Sequence, residues 1–545
     1  MRTRAGSGGS PPTAAVAQRP IDATVRVIHR LRRAGRLREA LDRADGALRD
    51  PLSPSGDRDR AVLLLERAEL ARLLGEDVAA DANLRDAAAT AAGIDSALRA
   101  RALAMRAAIA RFGGDVRRAG DLLAGAEEAI QAAPDPNLAA RSIVLVEIGL
   151  RHLELGDPAA GAELEQAVEI ISKLAESEAA DRGLATALAG RAIADRVGGD
   201  FAAARASLDR ALVHARRAWG RRSLEVAELY NERGMVGKFE GRFRDAAADY
   251  RRAGAIISAL VGDEHPDWAA LLHNIAGLHH AQGAFEAAEG PARRSLEIHC
   301  RTLGRDHLAV ALDRSGLASI LDGLGRREEA QQELEAALGI LRATLGPRHR
   351  EVAVALNNLA SLAQARGDLA AAEQAYREAL AIKDSTSTRA SPSIAITMSN
   401  LSSVLRRTGN RDEAIELADR AIAIFDATVE AGHPARVAAV ANRTRLTGPS
   451  ELERDAGELG PVGMLSRTGH RRGRGSDERP AGRMRSSRGR GEGLALEGHV
   501  DELDTEGHRL ASNDDETIVT DDDTEGHRLS SNDDETIVTD EAEAS

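Results

Sequence analysis

From Leu356 to Leu380 the chain reads LNNLASLAQARGDLAAAEQAYREAL, and the order of small, large and turn-forming residues in this stretch decides the fold. Gly367 separates two runs with apolar residues at helical spacing, so it ends one helix and permits a tight turn into the next. Ala372 stands five residues after it and Ala379 twelve after it. They are two helical turns apart on one face, and small enough to let a facing helix come close. Between them Tyr376, nine after the glycine, is a larger side chain suited to filling the gap between units.

The same order recurs along the chain. Its glycine and small-residue pairs are Gly35/Ala40, Gly75/Ala80, Gly114/Ala119, Gly156/Gly161, Gly199/Ala204, Gly241/Ala246, Gly283/Ala288, Gly325/Ala330, Gly367/Ala372 and Gly409/Ala414. The glycines are spaced by 40, 39, 42, 43 and then five times 42 residues. The second small residue is Ala47, Ala87, Ala126, Ala211, Ala253, Ala337, Ala379 or Ala421, with Val168 and Ser295 as the two departures. Leu208, Tyr250 and Leu334 share the large position with Tyr376. A period of this size kept in phase marks a repeat architecture, in which each unit buries its apolar stripe only against its neighbours.

This order of small and large positions resembles the tetratricopeptide repeat. The 42-residue period, longer than the usual length of about 34 residues, resembles the kinesin-light-chain type of that repeat. The connections Gly262-Asp263-Glu264-His265-Pro266, Gly304-Arg305-Asp306-His307, Gly346-Pro347-Arg348-His349 and Gly432-His433-Pro434 are similar to that type's Gly-x-x-His-Pro. Its Leu-Asn-Asn-Leu-Ala motif stands complete at Leu356–Ala360, and in looser form at Leu272–Ala276 and Met398–Ser402. The resemblance is closest from about Leu224 to Arg436 and thins N-terminally to the glycine and alanine skeleton. It implies an all-α fold, a right-handed α-α superhelical solenoid of about ten helical hairpins. Residues 1–20 are expected to be disordered, 21–223 to form the degenerate repeats and 224–446 the kinesin-light-chain-like ones. Pro434 to Leu446 serves as a capping helix, since Asn442 lies 42 residues after Asn400.

In that family the first helix of each hairpin lines the concave face, so polar residues there are the candidate peptide contacts. Asn231, His273 and Asn357 sit ten residues before their glycines, and Asn274, Asn358 and Asn400 nine before. A side-chain amide both donates and accepts, so it can bind a peptide backbone whatever its sequence. The two sets point about 100° apart, so they do not face a groove equally, and either one can instead tie one repeat to the next. Lys238, Arg406 and Arg407, near the ends of first helices, favour an acidic ligand or simply form solvated helix ends.

The recurring His265, His307, His349 and His433 are read as turn-stabilising. Each is a full repeat from the next, on the order of 10 Å along stacked helices, too far to share a metal ion. Phosphate-binding glycine loops, Gly-x-Ser-x-Gly and His-Glu-x-x-His do not occur. No catalytic residue, metal or cofactor is expected. One cysteine, Cys300, excludes an intramolecular disulfide and suits a reducing compartment, and no 18-residue apolar run free of charge occurs. The N-terminal 20 residues lack the apolar core of a signal peptide, so a cytoplasmic location is expected.

The net charge of −13 is concentrated in the tail. Glu492 to Ser545 holds 19 acidic residues against Arg509 and Arg528, whereas Arg467 to Arg490 holds nine arginines against Asp477 and Glu478. Residues 447–491 are therefore expected to be a disordered Arg/Gly-rich linker and 492–545 a disordered acidic tail. The tail carries its own 19-residue tandem repeat: Asp504–Asp521 and Asp523–Asp540 differ only at Ala511 against Ser530. Its motif residues Glu506, Gly507, His508 and Glu525, Gly526, His527 read either as a short binding motif presented twice or as an inert duplication. The linker lacks the interleaved aromatics of a base-stacking surface, and its acidic neighbour competes for it, so nucleic acid is not an expected partner.

These observations lead to a non-catalytic adaptor binding a protein or peptide on the concave repeat surface, without membrane attachment. Two alternatives stand beside it. One is a stand-alone regulator or sensor of a bacterial signalling ATPase or caspase-like protease, a bacterial setting suiting three lysines among 73 basic residues. The other is a tail-borne substrate for peptide-modifying enzymes. Oligomeric state and partner identity are not written in the sequence.

Overall fold

The computed structural model describes residues 20–50, 56–132, 137–157, 159–174, 176–386, 391–428 and 434–447. His433, the Arg/Gly-rich stretch and the acidic tail with Glu506, Gly507, His508, Glu525, Gly526 and His527 lie outside the described residues. Among the described residues there are 21 α-helices and no strand. They pair as hairpins. In the N-terminal half these are α1 (Pro20–Arg33) with α2 (Leu37–Arg49), α3 (Asp57–Leu73) with α4 (Asp77–Thr90), α5 (Ser96–Phe112) with α6 (Val116–Gln131), α7 (Leu138–Glu154) with α8 (Ala160–Ser172), and α9 (Glu178–Val197) with α10 (Phe201–Ala218). Then follow α11 (Leu224–Phe239) with α12 (Phe243–Val261), α13 (Pro266–Ala281) with α14 (Phe285–Thr302), α15 (Leu308–Gly323) with α16 (Arg327–Thr344), α17 (Arg350–Ala365) with α18 (Leu369–Thr386), and α19 (Pro392–Thr408) with α20 (Arg411–Thr428). The array ends on a lone first helix, α21 (Pro434–Thr447).

Local chemistry makes each hairpin. All ten turn glycines have φ between 68 and 88°, a conformation that residues with a Cβ resist. The next residue often starts the second helix. Asp115, Asp200 and Asp368 accept a hydrogen bond from the backbone N–H three residues on, satisfying a donor that the helix leaves open. The connection histidines do the same for first helices. Nδ1 of His265, His307 and His349 accepts from the backbone N–H two residues on, at 3.1–3.2 Å. Burial pushes the His349 imidazole below its ordinary range, which keeps that nitrogen free to accept.

The periodic small residues are where helices meet. Ala40, Ala80, Ala119, Ala204, Ala246, Ala288, Ala330, Ala372 and Ala414 are all fully buried. The fourth hairpin departs from the sequence register. There Ala160, Leu164 and Ala167 are buried while Gly161 is half-buried and Glu165 exposed, so the face runs one residue earlier than the Gly156/Gly161 pairing implies. Burial of Leu164 rather than Glu165 decides which face turns inward.

First helices of successive hairpins touch one another, as α5 does α7, α11 does α13 and α17 does α19. Second helices are linked outside by long ion pairs such as Arg342–Glu378 and Arg377–Glu413, both 2.6 Å. The array therefore curves with its first helices inside. The curve closes on itself: Arg33 Nε donates to the Ala218 carbonyl at 3.0 Å, Arg32 pairs with Glu225, and the Phe112 and His307 rings lie 6.1 Å apart. Leu70 and Leu73 share one buried apolar cluster with Leu224 and Leu271.

The close approach predicts that Ala330→Leu lowers unfolding free energy by about 1–3 kcal/mol. Gly161→Ala, with open space around the new Cβ in a helix, raises it by about 0.5–1 kcal/mol. Urea titration followed by far-UV circular dichroism measures both.

Candidate functional site

The candidate contacts of the C-terminal half lie on α11, α13, α17 and α19, and most of them are turned between helices. Asn231, His273, Asn274, Asn357, Asn358, Asn400 and Lys238 are all buried. Asn274 Nδ2 donates to Asn231 Oδ1 at 2.9 Å, and Asn442 Nδ2 to Ser399 Oγ at 3.4 Å. Both bonds span 43 residues, and the first joins the position ten before Gly241 to the position nine before Gly283. Asn231 and Asn274, one from each set, are thus partners in a repeat-to-repeat bond. Thr397 Oγ1 donates to Asn357 Oδ1 at 3.1 Å and in turn accepts from Lys383 Nζ at 3.0 Å. Lys238 Nζ rests 4.6 Å from the centroid of the Phe239 ring. Arg406 is half-buried, whereas Arg407 is exposed and donates to the Gln364 carbonyl at 3.4 Å.

His273 belongs to a different construction. Its Nδ1 meets Asp313 Oδ1 at 2.9 Å, His299 Nδ1 meets Asp313 Oδ2 at 2.7 Å, and Ser295 Oγ donates to Asp313 Oδ1 at 2.9 Å. His299 Nε2 reaches the Pro266 carbonyl at 3.2 Å, tying this cluster to the connection before α13. Burial opposes ionisation of Asp313, but the His299 and His273 imidazoles outweigh it and bring the carboxyl down to about 2. Ser295, a departure from alanine in the sequence pattern, is here a fully buried hydrogen-bond donor. Among the described residues no group of three or more His, Cys, Asp or Glu is placed to hold a metal ion.

Tetratricopeptide repeat models match residues 268–309, 307–385 and 394–435. The chain carries tetratricopeptide repeats there. Among solved structures it is similar to BtubC (BKLC) from P. vanneervenii, at 25% identity and a TM-score of 0.37, over 41% of this chain and 90% of that one. A Podosopora anserina kinesin light chain with nearly identical TPR-like repeats aligns at 25% identity and a TM-score of 0.32, over 36% and 92%. A Rap protein complexed with competence and sporulation factor aligns at 12% identity and a TM-score of 0.45, over 66% and 99%. No curated protein sequence matches. Tetratricopeptide repeats support a protein-interaction role in general, and their fold is typically non-catalytic. No helix among the described residues is long and apolar enough to cross a membrane.

The tetratricopeptide array has a second set of inward polar residues that the sequence reading passed over. Arg32, Arg111 and Arg196 each stand three before a turn glycine and reach a carboxylate of the next first helix. The pairs are Arg32–Glu69 at 2.7 Å, Arg111–Glu147 at 3.2 Å and Arg196–Glu232 at 2.7 Å. Arg111 also holds Glu154 at 2.7 Å. An arginine at that same place in four of the first five units, Arg72 included, was the available signal.

Asp313→Asn is predicted to cost about 3 kcal/mol, since it leaves two buried imidazoles without their carboxylate. The Asp313 carboxyl is depressed from 3.8 to about 2, so its contribution is complete above 3.8 and lost as pH falls toward 2. Acid titrations of the parent and the variant, compared between pH 5 and 2, read this directly: the gap between their stabilities narrows on acidification.

Proposed function

We propose that this chain is a non-catalytic adaptor that takes an extended peptide or protein segment along the first helices between Leu224 and Arg407. One observation supports this reading above the rest. Asn274 Oδ1 on α13, and Asn357 Nδ2, Asn358 Oδ1 and Gln364 Oε1 on α17, are buried with no hydrogen-bond partner among the described residues. Leaving a buried polar atom unpaired costs about 1–3 kcal/mol. A peptide backbone carries alternating acceptors and donors that can complete such a row without reading side chains. The bonds Asn231–Asn274 and Thr397–Asn357 hold the amides in place beforehand, which lowers the ordering cost on binding.

On this reading Lys238 and the pair Arg406 and Arg407 bracket the row with positive charge, so a segment with acidic ends is favoured. The acidic tail, 492–545, is a second contact point, and the adaptor works in the cytoplasm.

Affinity capture with the full chain as bait, against lysate of its native cell, tests the proposal. Asn357→Leu/Asn358→Leu keeps the side-chain size and removes both amides. Partner recovery is expected to fall at least about tenfold, the equivalent of about 1.4 kcal/mol. Undiminished recovery by the double variant, with loss on deleting 492–545 instead, assigns binding to the tail and overturns the amide row.

A further inference from the structure

The ten turn glycines share one backbone conformation, yet their surroundings divide sharply. A Cβ on Gly156, Gly199, Gly241, Gly283, Gly325, Gly367 or Gly409 would meet nothing within 4 Å. One on Gly35 would lie 2.6 Å from Leu260, one on Gly75 3.2 Å from His265 and 3.3 Å from Pro266, and one on Gly114 2.6 Å from Thr344. The turn tips of the first three hairpins thus rest on the ends and connections of hairpins five places further along. A side chain at Gly35 or Gly114 would force the neighbouring side chain to shift, and one at Gly75 would crowd His265 and Pro266.

We propose that this seam is a latch: hairpins one to three come away from the connections of hairpins six to eight as a unit, and that opening admits a ligand to the first helices. The proposal deepens the adaptor reading and rests on it for the ligand. Substantial helix-on-helix packing joins only elements one or two apart in the chain, so the seam is held by the tips, by the side-chain cluster that Leu70 and Leu73 share with Leu224, and by the buried Arg32–Glu225 pair. Its outer polar clasp is half-exposed: Arg33, 43% exposed, meets Glu178, 36% exposed, at 2.7 Å. Contacts of that kind contribute little each and exchange readily with water. What the seam covers is the wall itself. Ala227 of α11 lies in the seam's apolar cluster, and Asn231 is one helical turn further on the same helix. Both imidazole caps at His265 and His307 touch the seam, so the connections that start α13 and α15 are the surfaces released.

The test uses the full chain carrying Cys300→Ser and Asn231→Cys, with N-ethylmaleimide as the probe and no peptide present. Arg33→Glu/Gly114→Ala breaks the clasp and drives one tip out. Gly367→Ala is the control, with a φ of 82° against 85° at Gly114 and open space at its tip. The seam variant is expected to label at position 231 about tenfold faster than the control, with a larger radius of gyration by small-angle X-ray scattering and unchanged helicity. Equal labelling rates and equal radii overturn the latch. Should the seam variant lose helicity, sub-denaturing urea on the otherwise unaltered chain decides. Labelling that accelerates before helicity falls supports the latch, and coincident transitions overturn it. Because no peptide is used, an opening chain that captures no partner sinks only the adaptor reading, and a binding chain that never opens sinks only the latch.

Discussion

Everything in this solenoid depends on how closely two helices can approach at an alanine. A hairpin of about 40 residues cannot bury its own apolar stripe, and its neighbours do so only if backbones come near at fixed heights. Ala330 and Ala337, or Ala372 and Ala379, set those heights two turns apart, while Leu334 and Tyr376 fill the space between. Curvature follows, because first helices meet closely inside while outer helices are joined by the longer reach of arginine and glutamate.

The inside of the curve is polar, and its chemistry changes along the chain. In the N-terminal half buried arginines bridge to the next helix's carboxylates, as in Arg111–Glu147 and Arg196–Glu232. In the C-terminal half neutral groups take over, with Asn231–Asn274, Thr397–Asn357 and Ser399–Asn442. Ionic bridges out of water are held tightly only when fully matched, whereas amides carry more hydrogen-bonding capacity than their neighbours use. The two halves are thus unequal as surfaces: one is lined by charged bridges and the other by neutral amides.

Most of the fold was legible because its causes are local and repeated. A turn glycine, a capping Asp or His, and alanines at fixed offsets each leave a mark that recurs with every unit. The fourth hairpin escaped because Gly161 fits the small position as well as Ala160 does, and only burial of Leu164 separates the registers. Residue type marks the candidate contacts in the sequence, but their direction is not written there. Offsets of nine and ten residues read as rival faces, yet Asn231 and Asn274, one from each offset, meet across adjacent first helices. Asp313 was invisible for another reason. It gathers His273, Ser295 and His299 from two preceding helices, a one-time arrangement with no period to betray it.

Repeat arrays ordinarily change length by whole units, since each unit meets only its neighbours. Contacts between Gly35 and Leu260, Gly75 and His265, and Gly114 and Thr344 remove that liberty here. Loss or gain of one hairpin between the third and the sixth would bring every tip against the wrong connection at once. The seam therefore counts: it fixes the number of units within the first winding. The hairpins beyond α16 touch no tip of the first winding through their turn glycines, and lineages are free to lengthen or shorten the array there.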